Sequence, residues 1–260
     1  MIRNKFRFKT SSGDFEKEKQ RYDNRAEEEL KMINNQHSLQ VSHSQFIAPI
    51  YDKWYELINN LIKPGASVLE IGAGTGTHTK VIFDTGADVT AQDISEISLK
   101  VLRTKLNYDI ETIASNMESI PIKDCTFDFI VCCNVLSYGS PVMVNNEIYR
   151  LLKPGGSLLI MDSLNHNYIY RLNRRIHYYR GNRTKSTLKR VPSIKRIQGF
   201  SKRFESNICF YFGSYYWIVI PLKFLLGKRI AFRFNQIFEN IRPSGLSSFK
   251  FILVCEKYIN

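Results

Sequence analysis

The spacing of hydrophobic and polar positions predicts helices in the first part of the chain and strands alternating with helices after it. Apolar residues recur every three or four positions across residues 47–62, the spacing of an amphipathic helix, and Lys63-Pro64-Gly65 ends it. The preceding stretch, residues 15–34, is charged and favours a helix. From residue 67 onward, short apolar runs alternate with helical stretches, as in a sheet with helices between its strands.

Five apolar runs predict the strands of a parallel sheet. They cover residues 67–71, 87–92, 111–114, 127–133 and 157–162. Strands that alternate with helices form a parallel sheet covered on both faces. After residue 162 the alternation fails, and residues 165–235 are predicted to form a basic, aromatic, helical insert. Two closing strands are predicted at residues 236–242 and 249–257.

The composition indicates a folded globular protein and predicts neither a metal site nor a membrane-spanning segment. With 260 residues, 43% of them hydrophobic, the chain can bury a substantial core, and its 17 Phe and 14 Tyr argue against disorder. Five Cys without disulfide or metal spacing indicate reduced thiols, so we predict no metal site. No apolar run is long enough to span a bilayer, and the basic N-terminus leads into no hydrophobic stretch. We therefore expect a cytoplasmic protein.

The net charge of +13 is concentrated in the last part of the chain. Residues 164–260 contain 19 Lys and Arg against three acids, whereas residues 1–163 contain 18 against 21. Such a local excess indicates an anionic partner: a phosphorylated small molecule, a nucleic acid or a membrane surface. A solvated surface that only aids solubility is the alternative.

A glycine-rich turn after the first predicted strand carries the strongest chemical signal. Gly72, Gly74 and Gly76 stand where the backbone can approach a ligand closely. The third glycine follows the second by two residues, unlike the spacing of dinucleotide-binding turns. Glu70 precedes the turn, and a carboxylate there repels a pyrophosphate but favours a cationic ligand.

The turn and the segments after it resemble the class I methyltransferases that use S-adenosylmethionine, of the small-molecule type. Asp93 follows the second strand, where that family places the acid that binds both ribose hydroxyls. Residues 115–121 resemble its adenine loop, with Asn116 in place of the usual acid, and the amide oxygen is expected to contact the adenine amino group. The fourth and fifth strands also match in order. The resemblance covers residues 48–163 and the closing strand at 249–257.

The resemblance implies a doubly wound, Rossmann-like α/β fold with a mostly parallel seven-stranded sheet and an antiparallel last strand. It divides the chain into an N-terminal arm and lid helix (1–47), a cofactor-binding core (48–164), the basic insert (165–235) and the closing strands (236–260). It implies S-adenosyl-L-methionine as cofactor and S-adenosyl-L-homocysteine as product. The residues that it assigns to the cofactor are Glu70, Gly72, Ala73, Gly74, Gly76, Asp93, Ile94, Asn116, Met117, Asn134 and Tyr22.

Two residues that follow predicted strands are candidates for the chemistry, because the crevice of an open parallel sheet lies at the carboxyl ends of its strands. His166 follows the fifth strand and is predicted to act as a general base towards a hydroxyl, with a solvated loop histidine as the alternative. Tyr138 follows the fourth strand and is predicted to line the acceptor pocket.

The insert is predicted to select the acceptor, since the sheet is committed to the cofactor. It interleaves cations with Tyr, and guanidinium groups suit phosphate or carboxylate while aromatic rings suit sugars or bases. Our first hypothesis is methyl transfer to a hydroxyl of an anionic small molecule or lipid-linked glycan, because the insert and closing strand loosely resemble methyltransferases of bacterial surface-polysaccharide pathways. Residues 215–229, apolar beside cations, suggest either peripheral contact with the inner membrane face or an ordinary buried helix. An RNA-binding methyltransferase and a non-catalytic binding protein of the same fold are the alternatives.

Overall fold

A seven-stranded sheet organises the chain in the computed structural model, which describes residues 12–34, 48–107, 110–240 and 245–259. The strands are β1 (Ser67–Ile71), β2 (Asp88–Asp93), β3 (Glu111–Ala114), β4 (Phe127–Cys133), β5 (Leu152–Ser163), β6 (Ser206–Phe212) and β7 (Lys250–Glu256). Their order across the sheet is β3-β2-β1-β4-β5-β7-β6. Of the predicted N-terminal arm and lid helix, residues 1–11 and 35–47 lie outside the described residues.

Helices cover both faces of the sheet and continue beyond it. They are α1 (Ser12–Asn34), α2 (Ala48–Leu61), α3 (Thr79–Phe83), α4 (Glu96–Leu106), α5 (Pro141–Leu151), α6 (Tyr168–Tyr179), α7 (Lys185–Arg190), α8 (Ile194–Ser201), α9 (Tyr216–Leu226) and α10 (Lys228–Asn240). In α2 the apolar spacing predicted a buried face, and Ile50, Trp54 and Ile58 are buried there. Within the described ranges, no helix combines the length and apolarity needed to cross a membrane.

The strand directions confirm the predicted fold class. The first five strands pair in parallel, and β7 pairs antiparallel with both β5 and β6. Consequently β6 runs in the same direction as β5. Ser163 pairs with Lys250, which pairs with Phe212, so these three residues lie side by side at the carboxyl edge of the parallel strands.

The hydrophobic core consists of two clusters, one on each face of the sheet. Alternate residues of β4 enter different clusters: Ile130 and Cys132 face one side, and Val131 and Cys133 face the other. This is the alternation that a strand buried on both faces requires. It fixes the register of the central strands and therefore fixes which residues emerge at their carboxyl ends.

The position of the sixth strand corrects the prediction for residues 236–242. These residues were expected to form a strand, but α10 occupies residues 228–240, and the sixth strand is Ser206–Phe212, inside the predicted helical insert. In α10, Ala231 and Asn235 are buried one helical turn apart, which is helical periodicity. Strand β6 lies at the sheet edge with its first three residues exposed, so it lacks the apolar run of a central strand. The insert is therefore divided, with α6–α8 before β6 and the α9–α10 pair after it.

Candidate active site

A cavity of about 450 Å³ opens at the carboxyl ends of β1, β2 and β4, as expected for a doubly wound sheet. Its size lies within the range of small-molecule sites. Eight of the residues predicted to bind the cofactor line it: Tyr22, Gly72, Gly74, Asp93, Ile94, Asn116, Met117 and Asn134. Tyr138, predicted for the acceptor side, lines the same cavity.

The turn after β1 forms one wall and has the backbone geometry that glycine allows. Gly72, Gly74 and Gly76 have φ values of +73°, +55° and +83°, in the left-handed region. The amides of Gly72 and Ala73 donate to the Gln92 carbonyl at 2.8 and 2.9 Å, which ties the turn to β2. A Cβ on Gly72 would collide with Val135, whereas a Cβ on Gly74 would meet nothing within 4 Å. Gly74 therefore exposes its backbone to the open cavity.

Asp93 lies at the end of β2, and its carboxylate connects the glycine turn to Ser95, the residue before α4. Its Oδ2 accepts from the Gly74 amide at 2.9 Å, and its Oδ1 accepts from the Ser95 amide at 2.9 Å. Burial raises the pKa of Asp93, although the backbone amides, which favour the charged carboxylate, oppose this shift. A carboxylate held by two amides on a cavity wall retains lone pairs that accept hydrogen bonds from ligand hydroxyls.

Glu70 lies beneath the turn and does not line the cavity. It is 2% exposed, and its Oε2 accepts from the Thr79 hydroxyl at 2.5 Å, at the start of α3. Burial raises the pKa of Glu70 to about 7. Ala73 and Gly76 also lie outside the cavity lining, and a Cβ on Gly76 would come within 3.0 Å of Leu102. These three residues shape the turn from behind.

The free energy of unfolding should fall as the pH rises from about 4.5 to about 7, and Glu70→Gln should remove part of this fall. In that window the folded protein holds a proton on Glu70 that the unfolded chain has already released. The stabilisation is complete below about pH 4.5, is lost as the pH passes about 7, and amounts to roughly 3 kcal/mol. Denaturant titrations of both proteins at the two ends of the window measure it. Parallel pH dependences would contradict the raised pKa.

The predicted adenine loop closes one end of the cavity through Asn116 and Met117. Asn116 is exposed, and its Oδ1 accepts from the Glu118 amide at 2.9 Å, forming a tight turn. This bond uses one lone pair of the amide oxygen and leaves the second available. The structure is therefore compatible with the predicted contact to an adenine amino group.

Asn134 lines the cavity and has a left-handed backbone conformation. Its φ of +58° lies in the left-handed region, and its Oδ1 accepts from the Lys250 Nζ at 2.5 Å. Lys250 starts β7 and is buried, which lowers its pKa. Its contact with Asn134 joins residues 116 positions apart, so no local pattern predicts it. Lys250 is a positioning residue for Asn134.

Helix α1, predicted as a lid, supplies part of the cavity lining. Six of its residues, including Tyr22, line the cavity. Asp23 accepts from the Ser95 hydroxyl at 2.5 Å, next to Asp93, and Glu18 accepts from the Thr184 amide at 3.2 Å. The lid is thus bound both to the cofactor side and to the segment before α7.

Tyr138 is the centre of a cationic cluster at the acceptor side. Its hydroxyl accepts from the Tyr22 hydroxyl at 2.6 Å, from Arg21 at 3.3 Å and from Arg183. Arg190 donates to the Tyr138 carbonyl at 3.1 Å and itself lines the cavity. Burial lowers the pKa of Arg183, but the neighbouring Tyr138, Tyr22 and Glu18 outweigh this and raise it. The sequence showed Arg183 and Arg190 only as members of a long basic run.

His166 does not take the predicted position of a general base. Its Nε2 accepts from the Ile194 amide at 3.0 Å, at the first turn of α8, and the residue is absent from the cavity lining. A ring nitrogen that accepts a backbone hydrogen bond satisfies a helix N-terminus and does not face a substrate. The structure therefore gives His166 a structural role.

Known proteins match the core of this chain in sequence. A family model described as a methyltransferase domain matches residues 69–160. The chain is 31% identical over 131 residues to the demethylmenaquinone methyltransferase of Renibacterium salmoninarum, covering 45% of this chain and 55% of that protein. It is 35% identical over 115 residues to the ubiquinone/menaquinone biosynthesis C-methyltransferase UbiE of an Enterobacter species, covering 39% and 44%. The chain spans about half the length of the curated relatives it matches.

Solved structures share the fold at low sequence identity. The phosphoethanolamine N-methyltransferase 2 of Haemonchus contortus, in complex with S-adenosyl-L-methionine, aligns with a TM-score of 0.57 and 16% identity, over 80% of this chain and 52% of that one. The cyclase SpnF aligns with a TM-score of 0.54 and 17% identity, over 80% and 81%. These likenesses establish the fold, and the sequence match lies on the strands and turn that form the cavity. Residues 69–160 therefore match a methyltransferase domain, and the described chain shares the fold of methyltransferases that bind S-adenosyl-L-methionine.

Proposed function

We propose that this protein transfers a methyl group from S-adenosylmethionine to an anionic small-molecule acceptor. One observation carries the proposal: a single cavity brings together the exposed backbone of Gly74, the carboxylate of Asp93, the Asn116–Met117 loop and Asn134. Tyr138 and Arg190 line the same cavity, and we place the acceptor beside them.

The residues of the cavity suit the parts of S-adenosylmethionine, which supplies an electrophilic methyl group on a sulfonium sulfur. Gly74 allows close approach of a ligand to its backbone, and Asp93 accepts hydrogen bonds from ribose hydroxyls. Tyr22 and the rest of α1 exclude water from above. Methyl transfer is an in-line substitution, so the main task of these residues is to hold the reacting atoms in position.

The cluster around Tyr138 supports an anionic group on the acceptor. Arg183 and Arg190 bond to Tyr138, and guanidinium groups bind phosphate and carboxylate through paired hydrogen bonds, whereas Arg21, which also reaches the Tyr138 hydroxyl, is paired with Glu18 at 2.6 Å. A phosphorylated or lipid-linked sugar, as hypothesised from the sequence, would use these cations and the phenol rings. The comparisons give that glycan acceptor no support.

A quinone is the second candidate acceptor, because the sequence relatives are named for demethylmenaquinone and for ubiquinone/menaquinone biosynthesis. The matched residues 69–160 lie on the cofactor side, however, and stop before Arg183 and Arg190. A neutral quinone would also give these guanidinium groups no charge to bind. Arg190, on the cavity wall beside Tyr138, is the observation that supports the anionic acceptor over the quinone.

Four arginines of the insert bond inward, which argues against the RNA-binding alternative, while others of the same insert, such as Arg175 and Arg180, are exposed. Arg183 and Arg190 bond to Tyr138, Arg196 donates to the Arg190 carbonyl at 2.5 Å, and Arg174 is buried against Tyr170. A surface that tracks a nucleic-acid backbone instead presents its cations to solvent. The basic run therefore supplies a cavity wall and is not one continuous exposed patch.

A methyl-transfer screen tests the proposed function. The protein is incubated with methyl-labelled S-adenosylmethionine and, separately, nucleotide sugars, lipid-linked glycans, demethylmenaquinone and RNA. Label transferred to an anionic sugar supports the proposal, and label transferred only to demethylmenaquinone or RNA overturns the acceptor class. Tight binding of S-adenosylhomocysteine without transfer to any acceptor would favour a binding protein, or other chemistry, on this fold, which the cyclase SpnF shares.

Arg183→Gln combined with Arg190→Gln should raise the KM for the anionic acceptor at least about tenfold, since each guanidinium supplies a charge-assisted hydrogen bond. Affinity for S-adenosylhomocysteine should stay within about threefold. The matched control is Arg175→Gln with Arg180→Gln, which removes the same charge from exposed positions of the same insert. An equal loss in the control would mean that only the overall charge matters. An equal loss of S-adenosylhomocysteine affinity would place the pair at the cofactor.

A further inference from the structure

The hairpin formed by α9 and α10 exposes large apolar side chains at its tip. Phe224 is 80% exposed and Leu225 is 78% exposed, and Leu226 is also exposed. Gly227, with φ +83°, then turns the chain into α10. Three consecutive exposed apolar residues at a helix end form a contiguous patch, which differs from the scattered apolar residues of an ordinary surface.

The patch continues along one face of α10. Ile230 and Ile237, two helical turns apart, are exposed, while Ala231 and Asn235 on another face are buried. The hairpin therefore has a packed inner side and a solvent-facing apolar stripe. This is an amphipathic arrangement in which the exposed side also carries apolar residues.

Cations border the apolar patch. Lys228, Arg229 and Arg233 are exposed beside the tip and the stripe. The side chains that the structure describes in α9 and α10 include no acid. Apolar residues flanked by Lys and Arg characterise segments that lie in the interface of an anionic lipid bilayer.

The hairpin belongs to the same edge of the sheet as the cavity. It leaves the sheet after Phe212 and returns at Lys250, both at the carboxyl edge of the parallel strands. Helix α6 begins at this edge too, because Asn167 Nδ2 donates to the Ser247 carbonyl at 2.9 Å. Helix α6 also exposes apolar residues, Ile169, Leu172 and Ile176, at helical spacing.

We propose that the α9–α10 hairpin docks the protein on a membrane surface that contains anionic lipids. The tip residues enter the apolar boundary of the bilayer and the three cations pair with lipid headgroups. A second copy of this chain is a poorer occupant, because it would bring two sets of like charges together. The inference concerns the hairpin alone and does not depend on methyl transfer.

Vesicle co-sedimentation tests the apolar part of the proposal. Wild-type protein should bind vesicles of phosphatidylcholine with phosphatidylglycerol, and Phe224→Ser with Leu225→Ser should lower the partition coefficient at least about tenfold. The matched control, Val142→Ser with Met143→Ser, removes two exposed apolar side chains from α5 and should leave binding unchanged. Wild-type protein that stays in the supernatant, or a control that loses as much binding, would overturn the proposal.

Charge substitutions test the same surface without touching apolar packing. Lys228→Gln, Arg229→Gln and Arg233→Gln together should weaken binding to the anionic vesicles at least about tenfold and reduce its sensitivity to salt. Lys100→Gln, Lys123→Gln and Lys195→Gln remove three exposed cations elsewhere as the control. Equal wild-type binding to vesicles of phosphatidylcholine alone would contradict the need for anionic lipid.

Two further measurements separate the outcomes. Affinity for S-adenosylhomocysteine should be the same in every hairpin variant, so a loss of vesicle binding reports on docking and not on the cavity. Sedimentation equilibrium should give one copy of the chain in solution. A dimer that Phe224→Ser with Leu225→Ser dissociates, without any change in vesicle binding, would show that a second copy covers the hairpin and would overturn the proposal.

Discussion

Gly74→Val should abolish measurable binding of S-adenosylmethionine while the fold survives. The φ of +55° at Gly74 is unfavourable for valine, and a Cβ there meets no protein atom within 4 Å. The added side chain therefore causes no internal clash, and it fills space from which the ligand must approach the backbone. Isothermal calorimetry with S-adenosylmethionine measures the binding, and a thermal unfolding curve shows that the fold persists.

Gly65→Val separates backbone strain from obstruction of the cavity. Gly65 has φ +77° and likewise no atom within 4 Å of a Cβ, but it lies in the turn before β1 and outside the cavity lining. The two variants should lose similar stability, and only Gly74→Val should lose the ligand. Gly72 is unsuitable for this comparison, because its Cβ would collide with Val135 and disturb the core. Unchanged affinity in Gly74→Val would refute the placement of the cofactor.

The cofactor side could be predicted because its signals are local. Gly72, Gly74 and Asp93 lie within 22 residues of one another, and a parallel sheet forces the ends of β1 and β2 together. The alternation of apolar runs located both strands closely. What the sequence did not show was that Asp93 bonds to the Gly74 amide, so that the acid holds the turn as well as facing the cavity.

The contacts around Tyr138, which we propose as the acceptor side, could not be predicted because they join distant segments. Arg21 and Tyr138 are 117 residues apart, and Arg183 reaches Tyr138 across 45 residues. In the sequence Arg183 looks like any other arginine of the basic insert, and Arg21 lies in a helix of mixed charge. Nothing in their spacing distinguishes Arg183, which bonds to Tyr138, from Arg180, which is exposed. His166 illustrates the opposite error, since its position after a strand indicated catalysis while its ring caps a helix.

Asp93→Ala should lower the affinity for S-adenosylhomocysteine by between about tenfold and a hundredfold. Hydrogen bonds to a charged group contribute roughly 1.5–3 kcal/mol, and the substitution removes the acceptor for the ribose hydroxyls. It also frees the Gly74 and Ser95 amides that Asp93 holds. Both the lost acceptor and the freed amides are expected to weaken ligand binding at this wall of the cavity. Calorimetry at a pH above the raised pKa of Asp93 measures the change, since the carboxylate is then ionised.

Asp93→Asn distinguishes the ribose contact from support of the turn. An asparagine has one acceptor oxygen, so it can serve the Gly74 amide or the Ser95 amide but not both, and its NH₂ group faces the other donor. We expect an affinity between those of wild type and Asp93→Ala. Asp88→Ala, at the exposed start of the same strand, should bind like wild type. If Asp93→Ala binds S-adenosylhomocysteine within about twofold of wild type and remains folded, another residue holds the ribose.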